Sequence, residues 1–163
     1  MDTKPLLELK ARDLMTRDVV SVAETTTVGE LVTLLSDREI SGAPVVNAEG
    51  KPCGVVSLRD VVLSASERWA IAPERASPEF YVHGWEDKVN PDELRQLHVE
   101  EEGLLVRDIM TAAVYSVSAD SPLPQVARTM VEGHLHRLLV TEGDELVGIV
   151  SSLDLLQVIA DAT

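Results

Sequence analysis

The chain has 163 residues, enough for one ordinary domain or two small units sharing a core. Hydrophobic residues supply 45% and aromatics only 3%, so a core must come from Val, Leu, Ile, Ala and Met, and no apolar run approaches the roughly 18 to 20 residues of a membrane span. A net charge of −14 repels phosphate backbones and argues against general nucleic-acid binding, although a local pocket can carry the opposite sign.

Residues 1–10 form a lead-in without the apolar stretch of a secretory signal, and the single Cys53 cannot close an internal disulfide. Both features fit a cytoplasmic protein. The phrase ARDLMTRDVVSV then begins at residue 11, and VRDIMTAAVYSV begins at residue 106. Such self-similarity points to a duplicated unit. Each phrase ends in a strand-like run, VVSV or VYSV, and a helix signal follows. In the first copy Thr27 and Glu30 form a capping-box pattern; in the second, Ser121 reads as N-cap with Pro122 at the first helical position. One buried stripe recurs in phase: Val28, Leu31, Val32 and Leu35, then Leu123, Val126, Ala127 and Met130. Two short strands follow around the turns NAEGK and EGDE, the second turn being one residue shorter, and read as hairpins. Both copies close with SLRD or SSLD and an apolar helix.

Each copy therefore reads strand, helix, strand, strand, helix. The expectation is an α/β (α+β) chain of two βαββα units, residues 11–63 and 106–163, related by a pseudo-twofold axis in one compact module. A unit of about fifty residues is near the lower limit for a core of its own. An insert, residues 64–105, joins them. It holds Trp69, Trp85, Phe80 and Tyr81 in a chain otherwise poor in aromatics, and Asn90-Pro91 with DELRQL reads as a short capped helix. The aromatics either staple the insert to the body or, around Trp85, form a dimer or partner contact. The EEE run at 100–102 reads as a solvated face.

The two copies in register resemble a tandem pair of CBS domains, the Bateman module named after cystathionine β-synthase. The resemblance implies a non-catalytic regulatory module that binds AMP, ADP, ATP or S-adenosylmethionine between the copies and reports occupancy to an effector protein. Asp60 and Asp154 fall where the family's ribose-binding Asp lies. A carboxylate suits a ribose diol because charge-assisted hydrogen bonds are about twice as strong as neutral ones. Ser57 and Ser151 stand between a strand end and a helix start, where amides and the helix dipole favour phosphate. The same Ser-x-x-Asp string also serves as a helix N-cap, and the two roles are compatible.

The resemblance pairs each Asp with an adenine slot of the opposite copy. One cleft would combine Val20, Ile40, Ser41 and Pro44 with Ser151 and Asp154. The other would combine Tyr115, Leu135, His136 and Leu139 with Ser57, Arg59 and Asp60. The second also gathers Arg137, with His134 nearby, and so is expected to hold phosphorylated nucleotide more tightly; the first has Leu153 where the second has Arg59. Leu139 stands where the family's Pro44 falls in the first copy. His134-Leu135-His136, read as a strand, could suggest a metal pair, but no Cys or further His stands close by in the sequence, so no metal is expected. Cys53 reads as a small buried hydrophobe, and no P-loop, GxSxG or HExxH string is present. The chain is thus expected to be a stand-alone sensor, homodimeric through exposed helix pairs, with an unidentified effector and no nucleic-acid or membrane partner. A ligand-free dimerisation scaffold is the alternative; an enzyme is disfavoured.

Overall fold

A computed structural model describes residues 5–64, 79–82 and 103–162. The first copy runs α1 (Ala11–Leu14), β1 (Val22–Ala23), α2 (Val28–Arg38), β2 (Gly42–Val46), β3 (Pro52–Ser57) and α3 (Leu58–Ser64). A one-turn helix α4 (Glu79–Val82) belongs to the insert. The second copy runs α5 (Val106–Ile109), β4 (Ser116–Ser118), α6 (Leu123–Gly133), β5 (Arg137–Glu142), β6 (Glu145–Ser151) and α7 (Ser152–Asp161). The fold is mixed α+β, with two three-stranded sheets ordered β1-β2-β3 and β4-β5-β6. In each, the first strand is parallel to the middle one and the hairpin pair is antiparallel.

The local chemistry explains most of these elements. Thr27 caps α2, its side chain accepting from the Glu30 amide at 3.2 Å while Glu30 accepts the Thr27 amide at 3.0 Å. The apolar stripe faces inward: Val28, Leu31 and Leu35 are buried in α2, and Leu123, Val126 and Met130 in α6. At the first hairpin, the Asn47 side chain accepts amides from Glu49 and Lys51.

Three expectations change. The strands expected over VVSV and VYSV are confined to their ends, because ladder pairing begins only at Val22 opposite Val45 and Ser116 opposite Leu139. Ser121 does not cap α6: it is buried, its carbonyl accepts the Ala11 amide, and Pro122 takes the cap position without a side-chain bond. His134-Leu135-His136 is a helix-to-strand turn rather than a strand, since His134 ends α6 in the left-handed conformation (φ 52°). Glu39 ends α2 in the same way. Trp69, Trp85, the Asn90-Pro91 helix and the EEE run lie outside the described residues.

The repeated phrase has a packing explanation. Asp13 and Asp108 tie the starts of α1 and α5 by accepting the amides of Lys10 and Leu105, each at 2.9 Å. Thr16 then makes a two-way backbone bridge with Ile149 on β6, at 2.8 and 3.0 Å, and Thr111 makes one with Val55 on β3, both bonds at 2.9 Å. Each lead segment thereby extends the sheet of the other copy. The compact units follow this exchange: one takes the chain up to Val19 together with Tyr115 onward, and the other runs from Val20 to Val114. In the latter, Val106 and Ile109 of α5 join Leu31, Leu35, Val45, Val56 and Val61 in one buried cluster.

Glycine permits the approach. A Cβ at Gly54 would stand 2.6 Å from the Thr111 carbonyl oxygen and 3.1 Å from the Met110 sulfur; at Gly148 it would stand 2.5 Å from the Met15 sulfur. In the first unit, the lead is also tied by charge. Asp120 receives Lys10 at 2.9 Å and Arg12 at 2.8 Å, and Arg12 reaches Glu142 at 3.1 Å.

Gly54→Ala is expected to destabilise by about 1–3 kcal/mol, since backbone must move. Gly148→Ala is expected to destabilise by a similar amount, since the Met15 Cγ and Cβ, at 2.8 and 3.0 Å, must move along with the sulfur. Gly29→Ala, where a Cβ meets nothing within 4 Å, should be neutral or stabilising by up to about 1 kcal/mol; urea midpoints of the three variants check the order. The hydrogen bond from Lys10, then the charges of Arg12 and Lys10, hold Asp120 below its ordinary value of 3.8. A depressed folded pKa means the ion group stabilises the fold above that value and loses its contribution as pH falls through the lower folded one. Asp120→Asn should therefore lower the urea midpoint at neutral pH, and the deficit should vanish as the acid limb is descended.

Candidate functional site

Each unit places a Ser-x-x-Asp string at a corner made by one strand's start, another's end and a helix's first turn. In the second copy, the Ser151 amide donates to Asp154 Oδ2 at 2.7 Å and its hydroxyl donates to the same oxygen at 2.8 Å. Ser151 Oγ in turn accepts the Asp154 amide at 3.3 Å, completing the cap of α7. The adjoining Ser152 amide donates to the His136 carbonyl at 2.9 Å, and Arg137 is the strand partner of Ser151. The Tyr115 carbonyl accepts the Leu139 amide at 3.0 Å on the same sheet.

The first copy repeats this geometry. Ser57 donates its amide to Asp60 Oδ2 at 2.7 Å and its hydroxyl at 3.1 Å. Leu58 donates to the Ser41 carbonyl at 2.8 Å, and Gly42 is the strand partner of Ser57. At both strings the serine amide and hydroxyl donate to one carboxylate oxygen and orient it, and at Ser151 the serine oxygen also caps the helix. The corners differ in exposure. Ser57 and Asp60 are 8% and 6% exposed, whereas Ser151 and Asp154 are half-buried.

The remaining candidates divide by burial. Pro44 and Leu139 are buried in their strands and Leu135 is buried in the turn before β5; Val20, Ile40, Ser41 and Arg137 are half-buried; Arg59, Tyr115, His136 and Leu153 are exposed. Cys53 Sγ lies 3.5 Å from the Val45 carbonyl and 3.9 Å from Glu24. Burial first, and the Glu24 charge second, push its thiol pKa up, which disfavours the nucleophilic thiolate. No group of three His, Cys, Asp or Glu side chains among the described residues could hold a metal ion. Nor is any helix there long and apolar enough to cross a membrane.

Sequence reasoning did not place two features. Phe80 lies against Gly42, next to the Ser57 corner, and Tyr81, fully buried, donates its hydroxyl to the Ala113 carbonyl at 3.0 Å. The aromatic enrichment of the insert was a signal of contact, but nothing in the sequence named its target.

The described topology agrees with solved structures. A CBS domain from a CBS domain containing membrane protein of Sphaerobacter thermophilus matches with TM-score 0.67 and 26% identity, covering 94% of this chain and 89% of that one. CBSX2, solved in complex with AMP, matches with TM-score 0.63 at 23% identity, covering 94% and 97%. The CBS domain pair of protein MJ0100, solved with 5′-methylthioadenosine and S-adenosyl-L-methionine, matches with TM-score 0.59 at 18% identity, covering 95% and 98%. The chain spans 34%, 58% and 15% of the lengths of three curated relatives to which it is 28%, 27% and 27% identical. The CBS domain profile itself matches twice, at residues 11–67 and 106–161, following the sequence period. With both repeats matched and together making up most of its length, the chain belongs to the CBS domain family.

Proposed function

We propose that this CBS pair is a regulatory module that binds an adenosine-containing ligand at its Ser-x-x-Asp corners and passes the occupancy to a partner protein. The observation that carries this reading is the Asp154 carboxylate. Its Oδ2 is held by the Ser151 cap, while its Oδ1 has no hydrogen-bond partner among the described residues. A carboxylate oriented through one oxygen leaves the other to accept from a sugar diol with little reorganisation. The ten-residue α7 begins at the same corner, and its N-terminal dipole favours a nearby phosphate. Relatives of this fold solved with AMP and with S-adenosylmethionine make these the first ligands to try. The adenine slot formed by Val20, Ile40, Ser41 and Pro44 is proposed on the resemblance alone.

A homodimer is part of the proposal. Leu153, Leu156 and Ile159 stand exposed along α7, a spacing that gives one apolar helix face. The same face supports the second reading, in which the pair acts as a dimerisation scaffold without ligand. Ligand would alter a partner's activity only through its difference in affinity for two states of the module. A reducing cytoplasmic setting suits the single thiol.

Thermal melting with AMP, ADP, ATP and S-adenosylmethionine separates the readings. A ligand at a hundred times its dissociation constant stabilises by about 2.7 kcal/mol, which at this length raises Tm by roughly 5–10 °C. A chain that dimerises but shifts with none of the four would favour the scaffold. Asp154→Asn keeps an acceptor for the Ser151 amide but removes the charge. Its unliganded Tm should stay within about 2 °C of wild type, while its affinity for AMP falls about ten- to a hundredfold in titration calorimetry.

A further inference from the structure

We propose that α4 is a built-in stopper for the Ser57–Asp60 corner, so that in the free chain only the Ser151–Asp154 corner takes the adenosine ligand. This rests on the ligand reading above. The charge pattern of the sequence favours the Asp60 corner, because Arg59 stands there; the packing argues the other way.

Gly42 is the first residue of β2 and the strand partner of Ser57. A Cβ at Gly42 would meet the Val56 carbonyl oxygen at 2.8 Å, the Phe80 ring at 3.1 Å and the Ser57 Cα at 3.4 Å. Glycine therefore leaves a notch where β2 begins and β3 ends, and Phe80 fills it. The Ser41 carbonyl, bonded to the Leu58 amide, borders the same notch. In the second copy, the residue paired with Ser151 is Arg137, which carries a side chain where Gly42 has none.

The aromatic pair is seated as a plug rather than offered as a platform. Phe80 is 5% exposed and Tyr81 is fully buried. Their rings meet edge to face, with centroids 5.2 Å apart and planes at 88°. No open ring face is left on which a purine could stack. The Tyr81 hydroxyl, bonded to the Ala113 carbonyl, anchors the turn in place. The burial contrast agrees with this: Ser57 and Asp60 are buried, and their counterparts Ser151 and Asp154 are half-buried.

Titration calorimetry of the full chain with AMP tests this. Wild type should bind a single AMP, and Asp154→Asn should remove it. Phe80→Ala should add a second binding event that Asp60→Asn abolishes. Tyr81→Phe keeps the ring packing but cuts the anchor, and it should show a weaker second event even if the Ala variant folds poorly. Two equivalent events in wild type, or wild-type binding removed by Asp60→Asn, would overturn the stopper. Should no protein bind AMP, the ligand reading fails by itself, and hydrogen exchange still judges the stopper. Amides of residues 57–60 should then exchange at least about tenfold faster in Phe80→Ala or Tyr81→Phe, with residues 151–154 unchanged. Equal protection in wild type and both variants would sink it.

Discussion

Where Met110-Thr111 crosses Gly54, and Met15-Thr16 crosses Gly148, two stretches of chain approach more closely than any Cβ would allow. Paired amide and carbonyl groups hold each crossing, through Thr111 with Val55 and Thr16 with Ile149. These contacts decide how the chain divides, because they carry a helical turn with them. α5 brings Val106 and Ile109 into the core beside Leu31 and Val56, while α1 buries Ala11 in the other unit. Burying side chains of this size contributes about 1.5–3 kcal/mol each. A small sheet of three strands is thus completed by residues distant in sequence.

In the reading proposed above, the Ser151–Asp154 corner serves structure and recognition together. Ser151 and Asp154 cap a helix, and the cap fixes the carboxylate's direction. Under the proposed reading, a ligand would use the oxygen that capping leaves. The cost of orienting the group is met in folding rather than in binding, which is how preorganisation raises affinity. The same Ser-to-Asp hydrogen bonds at Ser57 and Asp60 go with deeper burial, so the motif alone does not determine access. Neighbours do.

Much of this was legible from residues. The Thr27–Glu30 box, the Val28–Leu35 stripe and both hairpin turns carry their instructions locally, and they form as read. The repeated Arg-Asp and Met-Thr announced a duplication, but not what it was for, because the partner of Met15 is Gly148 and periodicity within one copy says nothing of contacts across the chain. Ser121 looked like a cap because Ser-Pro commonly is one; here its carbonyl is taken by Ala11, and tertiary pairing overrides the local preference. His134 resembled strand because Leu135 is flanked by polar residues, whereas a left-handed helix end also produces that pattern. The Phe80 contact was hidden for a simpler reason. A glycine in a strand signals space, without saying what enters it.

The exchange of lead segments also bears on ancestry. A solitary ancestral copy, carrying its own Met-Thr lead, could have completed its sheet only against a twin that offered the same lead in return. A single copy on its own would leave that lead unpaired and the matching strand edge open.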